Sequence, residues 1–197
     1  MHIILDNGHG GILNGIYQTA GKRSPIWKDG RQLFEGDFNR KVVNGLSLLC
    51  SAHNISHTIL VPELTDISLS QRVSRVNRIY KGKKDSILIS VHANAGGGTG
   101  FEAFTTKGET KSDAIAEVLI KQFVATIPEL RLRKDTTDGD LDKEAQFKII
   151  RETYCPAVLL ECAFMDTYEP DCRMMLDNPD LFVNAIFNGF LNLKENF

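Results

Sequence analysis

Four residues, His9, Glu35, His92 and Glu161, are of the types that carry out metal-assisted hydrolysis. His9 lies in the breaker cluster Asp6-Asn7-Gly8-His9-Gly10-Gly11, just after the apolar run Ile3-Ile4-Leu5. His92 follows the aliphatic run Ser86–Val91, and Glu161 ends the run Pro156-Ala157-Val158-Leu159-Leu160. Glu35 opens an amphipathic stretch. Two imidazoles and a carboxylate suit one Zn²⁺: they fill three tetrahedral positions and leave the fourth open. A second carboxylate outside the ligand set could then take a proton from water. Glu161 is flanked by Val158-Leu159-Leu160 and Cys162-Ala163-Phe164. Burial in such surroundings raises the proton affinity of a carboxyl, as a general base near neutral pH requires.

The gaps of 26, 57 and 69 residues between these positions form no local motif. Each residue also has an ordinary structural reading. His9 could serve a turn, or its glycine-rich loop could cradle a phosphate, although the GxGxxG and GxxxxGK[ST] frames are missing. Glu35 could be an acid stabilised by a helix N-terminus. His92 could be a loop or capping histidine, and Glu161 could pair with Arg151. What sets the four apart is their position: in open α/β sheets, sites gather beyond the carboxyl ends of strands.

The elements that must position them follow from periodicity. Ile3-Ile4-Leu5, Ser56 to Val61, Ser86 to Val91, Phe101 to Thr106 and Pro156 to Leu160 read as strands, the third aliphatic enough to be central. Phe38, Val42, Leu46 and Leu49 mark a helix over about 35–52. Val73, Val76 and Ile79-Tyr80 mark a second beginning at Ser68-Leu69-Ser70, with Arg72, Arg75 and Arg78 on its wet face. Ser112 to Thr126 is a third, and Asn178-Pro179-Asp180 starts a fourth. Ile12–Leu33 reads as a long loop, Leu130–Gln146 is ambiguous, and Phe147–Arg151 is a short strand or a helical turn. Strands alternating with helices predict a single α/β domain, a three-layer α/β/α sandwich around a mostly parallel, mixed, twisted sheet.

Composition narrows the function classes. The 23 Lys and Arg against 25 Asp and Glu leave a net charge of −2, so no basic excess draws the chain onto nucleic acid or an anionic membrane. No apolar run is long enough to span a membrane. Cys50, Cys155, Cys162 and Cys172 form no CxxC pair and read as small buried apolar residues. Asp6 is expected to orient His9 or its turn, and Glu102 to be structural or to line the groove. His2, His53 and His57 are expected to be surface or satisfied histidines, and Asn94 either bonds substrate or fixes its loop.

The ordered blocks resemble the zinc-dependent N-acetylmuramoyl-L-alanine amidases, which cleave peptidoglycan. Ile3 to Gly11 is similar to that family's opening strand and first zinc histidine. Glu35 with Asn39 resembles its zinc-glutamate helix. Arg72 to Asn77 and then Ser90-Val91-His92-Ala93-Asn94 resemble its next helix and second zinc histidine. Pro156 to Glu161 resembles its closing strand with the catalytic glutamate, and Glu169, Leu176 and the C-terminal helix also fit.

The resemblance covers nearly the whole chain, except that Ile12–Leu33 and Leu130–Gln146 match no pattern. It implies one Zn²⁺ on His9, Glu35 and His92, with Glu161 as the catalytic base. The implied reaction is hydrolysis of the amide between N-acetylmuramic acid and L-alanine, as in wall remodelling or a phage-type endolysin. Residues 1–197 are read as one catalytic domain with no wall-binding module. Its partner is peptidoglycan, with no membrane insertion. Lacking a visible signal peptide, it is expected to be made in the cytoplasm and to reach the wall through lysis or an unseen export route. A zinc carboxypeptidase would place His and Glu together as HxxE, which His9 and Glu35 do not. A non-catalytic wall-binding module would not need all four polar residues.

Overall fold

The computed structural model describes residues 1–135 and 139–196. In chain order the elements are β1 (His2–Asn7), β2 (Ile12–Leu13), β3 (Ile16–Tyr17), α1 (Glu35–Ala52), β4 (His57–Ile59), α2 (Leu69–Gly82) and β5 (Ser86–Asn94). They continue with β6 (Glu102–Thr105), α3 (Lys111–Thr126), β7 (Lys143–Glu144), α4 (Lys148–Arg151), β8 (Ala157–Phe164), α5 (Arg173–Asp177) and α6 (Pro179–Asn196). The main sheet has the order β4-β1-β5-β8-β6-β7. β4, β1, β5 and β8 run parallel, and β6 turns antiparallel to β8, which makes the sheet mixed as expected.

Each central strand is buried on both faces, and its alternation divides two cores. Ile3, Leu5, Ile87, Ile89, Val91, Val158 and Leu160 face the larger core, with apolar residues of α1, α3 and α6. Ile4, Leu88 and Leu159 face the smaller one, with Val73 and Val76 of α2 and Ile149 and Ile150 of α4. A sheet buried on both faces requires the near-continuous aliphatic runs that β1, β5 and β8 carry. α2 begins in a capping box: Ser68 Oγ accepts from the Gln71 backbone N–H, and Gln71 reaches back to the Ser68 N–H.

The expected elements are present, with two corrections and one ambiguous segment resolved. Ile12–Leu33 contains the hairpin β2–β3, turned at Asn14 and Gly15 with positive φ at both, the geometry that twisted hairpins favour. The loop is anchored further on, where the Trp27 ring N–H donates to Cys172 Sγ at 3.1 Å and Arg31 bonds Asp29, Tyr168 and Asp177. Leu130–Gln146 supplies the edge strand β7, and Leu132 bridges to Phe101; positions 136–138 of this segment lie outside the described residues. Arg72 is 2% exposed, so it does not belong to a solvated helix face. Among the described residues no helix is long and apolar enough to cross a membrane.

Candidate metal centre

Strand alternation also selects the face on which the polar residues meet. Asp6, Ser90, His92 and Glu161 occupy positions in phase with Ile4, Leu88 and Leu159, on the side covered by α2 and α4. His92 and Glu161 are register partners on adjacent parallel strands, so their Cα atoms are about 5 Å apart. Past the ends of α2 and α4 this face opens into a cleft lined by His9, Lys22, Glu35, His92, Phe147 and Glu161.

Glu35 is the first residue of α1, 1% exposed, where the helix dipole favours negative charge. Its Oε1 lies 3.2 Å from His9 Nε2 and 3.0 Å from His92 Nδ1. The two imidazole rings are perpendicular, with centroids 5.1 Å apart. One ligand atom from each of the three residues falls within 4.8 Å of the others, so the group could hold a metal ion. Two glycines permit this approach. A Cβ on Gly8 would come within 2.2 Å of the His92 ring, and one on Gly36 within 1.9 Å of the Gly10 carbonyl oxygen.

Electrostatics favour a cation here. Burial raises the pKa of the Glu35 carboxyl, but hydrogen bonds from His9 and His92 outweigh it and hold the group well below the usual carboxylate range. Burial lowers the pKa of His92, but the bond to Glu35 and the charges of Glu161, Glu35 and Asp6 raise it overall. Glu161 is raised to about 7, mainly by burial, against the pull of His92 and with a push from Glu35. Among the described residues, Glu35 Oε2 and Glu161 Oε2, both buried, have no hydrogen-bond partner. Two orphaned carboxylate oxygens beside two imidazoles are costly unless a cation or a proton meets them. The donor set therefore fits a dication.

The competing assignments also have clear positions. Glu102 is bonded by Arg133, Lys143 and Asn94 Nδ2 at 2.5, 2.8 and 2.9 Å, and is held as a low-pKa structural acid against the cost of its burial. Asn94 thereby ties the end of β5 to β6, and it also lines the cleft. Arg151 bonds Glu152 rather than serving Glu161. His2 bonds Ser56 and Thr58, and His57 bonds Ser47. All four cysteines are buried and free. Asp6 makes no bond to the His9 ring; it accepts from Arg72 Nη1 at 2.6 Å and from Ser90 Oγ at 2.7 Å. Sequence reasoning missed Arg72 and Arg40, both of which donate to the His9 carbonyl oxygen. For Arg72 the available signal was helical spacing, which sets it on the side of Val76 in α2.

Comparison with known proteins places the chain in a family. Residues 3–192 match the N-acetylmuramoyl-L-alanine amidase family. The chain is 26% identical over 194 residues to an N-acetylmuramoyl-L-alanine amidase of Bacillus licheniformis, covering 96% of this chain and 66% of the relative. It is also 26% identical over 200 residues to the endolysin of Bacillus phage SPP1, covering 97% and 66%. The chain thus spans just under two thirds of the length of these relatives. In fold it resembles the N-acetylmuramoyl-L-alanine amidase from Clostridium difficile 630, with a TM-score of 0.77 at 24% identity over 98% of this chain and 96% of that one. It also resembles the catalytic domain of an amidase from Paenibacillus polymyxa var. colistinus, with a TM-score of 0.71 at 22% identity over 98% of each.

Proposed function

The chain belongs to the N-acetylmuramoyl-L-alanine amidase family, and from that premise we propose that it is a Zn²⁺-dependent hydrolase of the amide between N-acetylmuramic acid and L-alanine in peptidoglycan. The observation that carries this reading is the convergence of His9, Glu35 and His92 on one point, with an unpartnered Glu161 oxygen in the same cleft. His9, Glu35 and His92 would hold the ion. Bound there, Zn²⁺ supplies a Lewis acid that polarises a carbonyl and makes water easier to deprotonate.

The protein's own groups do the rest. Glu161 accepts a proton from the attacking water and delivers it to the departing amine, and the burial that raises its proton affinity suits it to both transfers. Glu35 enters the site as an anion: hydrogen bonds from His9 and His92 hold its carboxyl well below the usual carboxylate range against the cost of burial. Phe147 and Leu69, both partly exposed on the cleft wall, offer apolar surface to the substrate, and Lys22 offers a positive charge. The wall is the expected place of action.

Digestion of purified peptidoglycan, followed by mass analysis of the products, tests the assignment. Intact stem peptides with new L-Ala N-termini, abolished by chelator and restored by Zn²⁺, are expected. Products cut within the stem peptide would make the protein a peptidase. Binding without released amines would make it a wall-binding module.

A further inference from the structure

The peptide that carries His9 is held in a costly way. His9 has φ of 65°, in the left-handed region that residues with a side chain seldom occupy. The groups around it are all locked: Gly8 O accepts from Asn39 Nδ2 at 3.0 Å, and Gly10 N donates to Thr19 Oγ1 at 2.9 Å. His9 O accepts from Arg40 Nη1 at 2.8 Å and Arg72 Nη2 at 3.1 Å. Two buried guanidinium groups thus share one carbonyl oxygen. Arg72 has Asp6 as its close carboxylate, with Asp66 at 3.6 Å, and Arg40 Nε is buried without a partner among the described residues. Burial and the charge of Arg72 lower the pKa of Arg40. Converging like charges and a strained backbone do not maximise stability, and such costs concentrate where geometry serves a site.

We infer that Arg72 is a positioning residue for the metal: through the His9 carbonyl it fixes the left-handed turn that points His9 Nε2 at Glu35, and metal affinity depends on it. The inference rests on the proposed Zn²⁺ site. Arg72 has the reach for this role because its Nη1 also bonds Asn7 O at 2.9 Å and its Nε bonds Ile67 O at 2.9 Å. One planar guanidinium therefore ties the end of β1, the His9 turn and the start of α2 together. Lysine could keep the charge opposite Asp6 but not this fork. Ser90 fixes the far oxygen of Asp6 and so helps to aim Arg72.

The test uses the whole chain, stripped of metal, with Zn²⁺ affinity measured by chelator competition and site geometry read from the absorption spectrum of bound Co²⁺. Arg72→Lys is expected to weaken Zn²⁺ binding by about 10-fold or more, the usual scale for residues that orient a ligand, and to shift the Co²⁺ bands. Ser90→Ala, a milder change that guards against misfolding of the first variant, is expected to weaken binding less, in the same direction. Arg75→Lys, on the same helix in an exposed pair with Glu63, should stay within about twofold of wild type. Wild-type affinity and spectrum in both Arg72→Lys and Ser90→Ala would overturn the inference, even if their melting temperatures fell, because Arg72 would then be purely structural. A wild-type chain that fails to bind Zn²⁺ would overturn the metal reading itself, and the inference with it.

Discussion

At the scale of single residues, Glu161 separates a hydrolase from a mere metal binder. Its buried position on β8, with one oxygen unpartnered, raises its pKa to about 7. Glu161→Gln preserves size and removes the base. It should leave Zn²⁺ binding intact and lower turnover on purified wall by about 10²–10⁴-fold; near-wild-type cleavage would refute the assigned role. A second buried acid gives a pH test remote from the metal centre. Asp142, 2% exposed and bonded by Thr105 Oγ1 at 2.8 Å, has its pKa raised to about 6, chiefly by burial. Because the folded value lies above the ordinary one, its contribution is fully present below about pH 4 and is lost as pH rises through about 6. Asp142→Asn should therefore melt higher than wild type at pH 7 and converge with it near pH 4. Parallel melting curves across that range would show that Asp142 is not strained.

At the scale of elements, the site depends on how closely the start of α1 approaches the turn after β1. Gly36 makes that approach possible. Alanine ordinarily favours a helix over glycine by about 1 kcal/mol, but here its Cβ would sit 1.9 Å from a backbone oxygen that cannot easily move. Gly36→Ala should therefore destabilise by about 1–3 kcal/mol and weaken Zn²⁺ binding by displacing Glu35, as read by denaturant titration and chelator competition. An unchanged or more stable variant would mean that helix propensity outweighs the clash. The long elements were legible in the sequence, the helices by stripes such as Phe38, Val42, Leu46 and Leu49, and the strands by continuous aliphatic runs such as Ile3-Ile4-Leu5 and Ser86–Val91, which a sheet covered on both faces requires. The candidate ligands were legible because each ends or begins such an element. The hairpin β2–β3 was also signalled, by Asn14-Gly15, but only two residues flank the turn on each side, too few to show alternation. Arg72 was misread for another reason. Helical spacing sets it on the side of Val76 and Ile79, but its charge reads as solvated, and the tertiary pairing with Asp6, 66 positions away, is what allows it inside.

At the scale of the whole molecule, the fold brings residues from the turn after β1 and from α1, β5 and β8 to one rim of the sheet, so metal binding and global stability are linked. A ligand that binds only the folded state stabilises by about 2.7 kcal/mol at 100 times its dissociation constant. Saturating Zn²⁺ should therefore raise the melting temperature of the metal-free chain by several degrees, and a chelator should reverse the shift. The same addition to a His92→Ala variant should have little effect, whereas an equal shift in both would place the binding elsewhere. The most direct test of the whole account is anomalous diffraction at the zinc edge from crystals grown with Zn²⁺. One strong peak bonded by His9, Glu35 and His92, with Glu161 beside it and outside the ligand set, is the expected result. An intact fold with no peak there, or with the peak on other side chains, would contradict it.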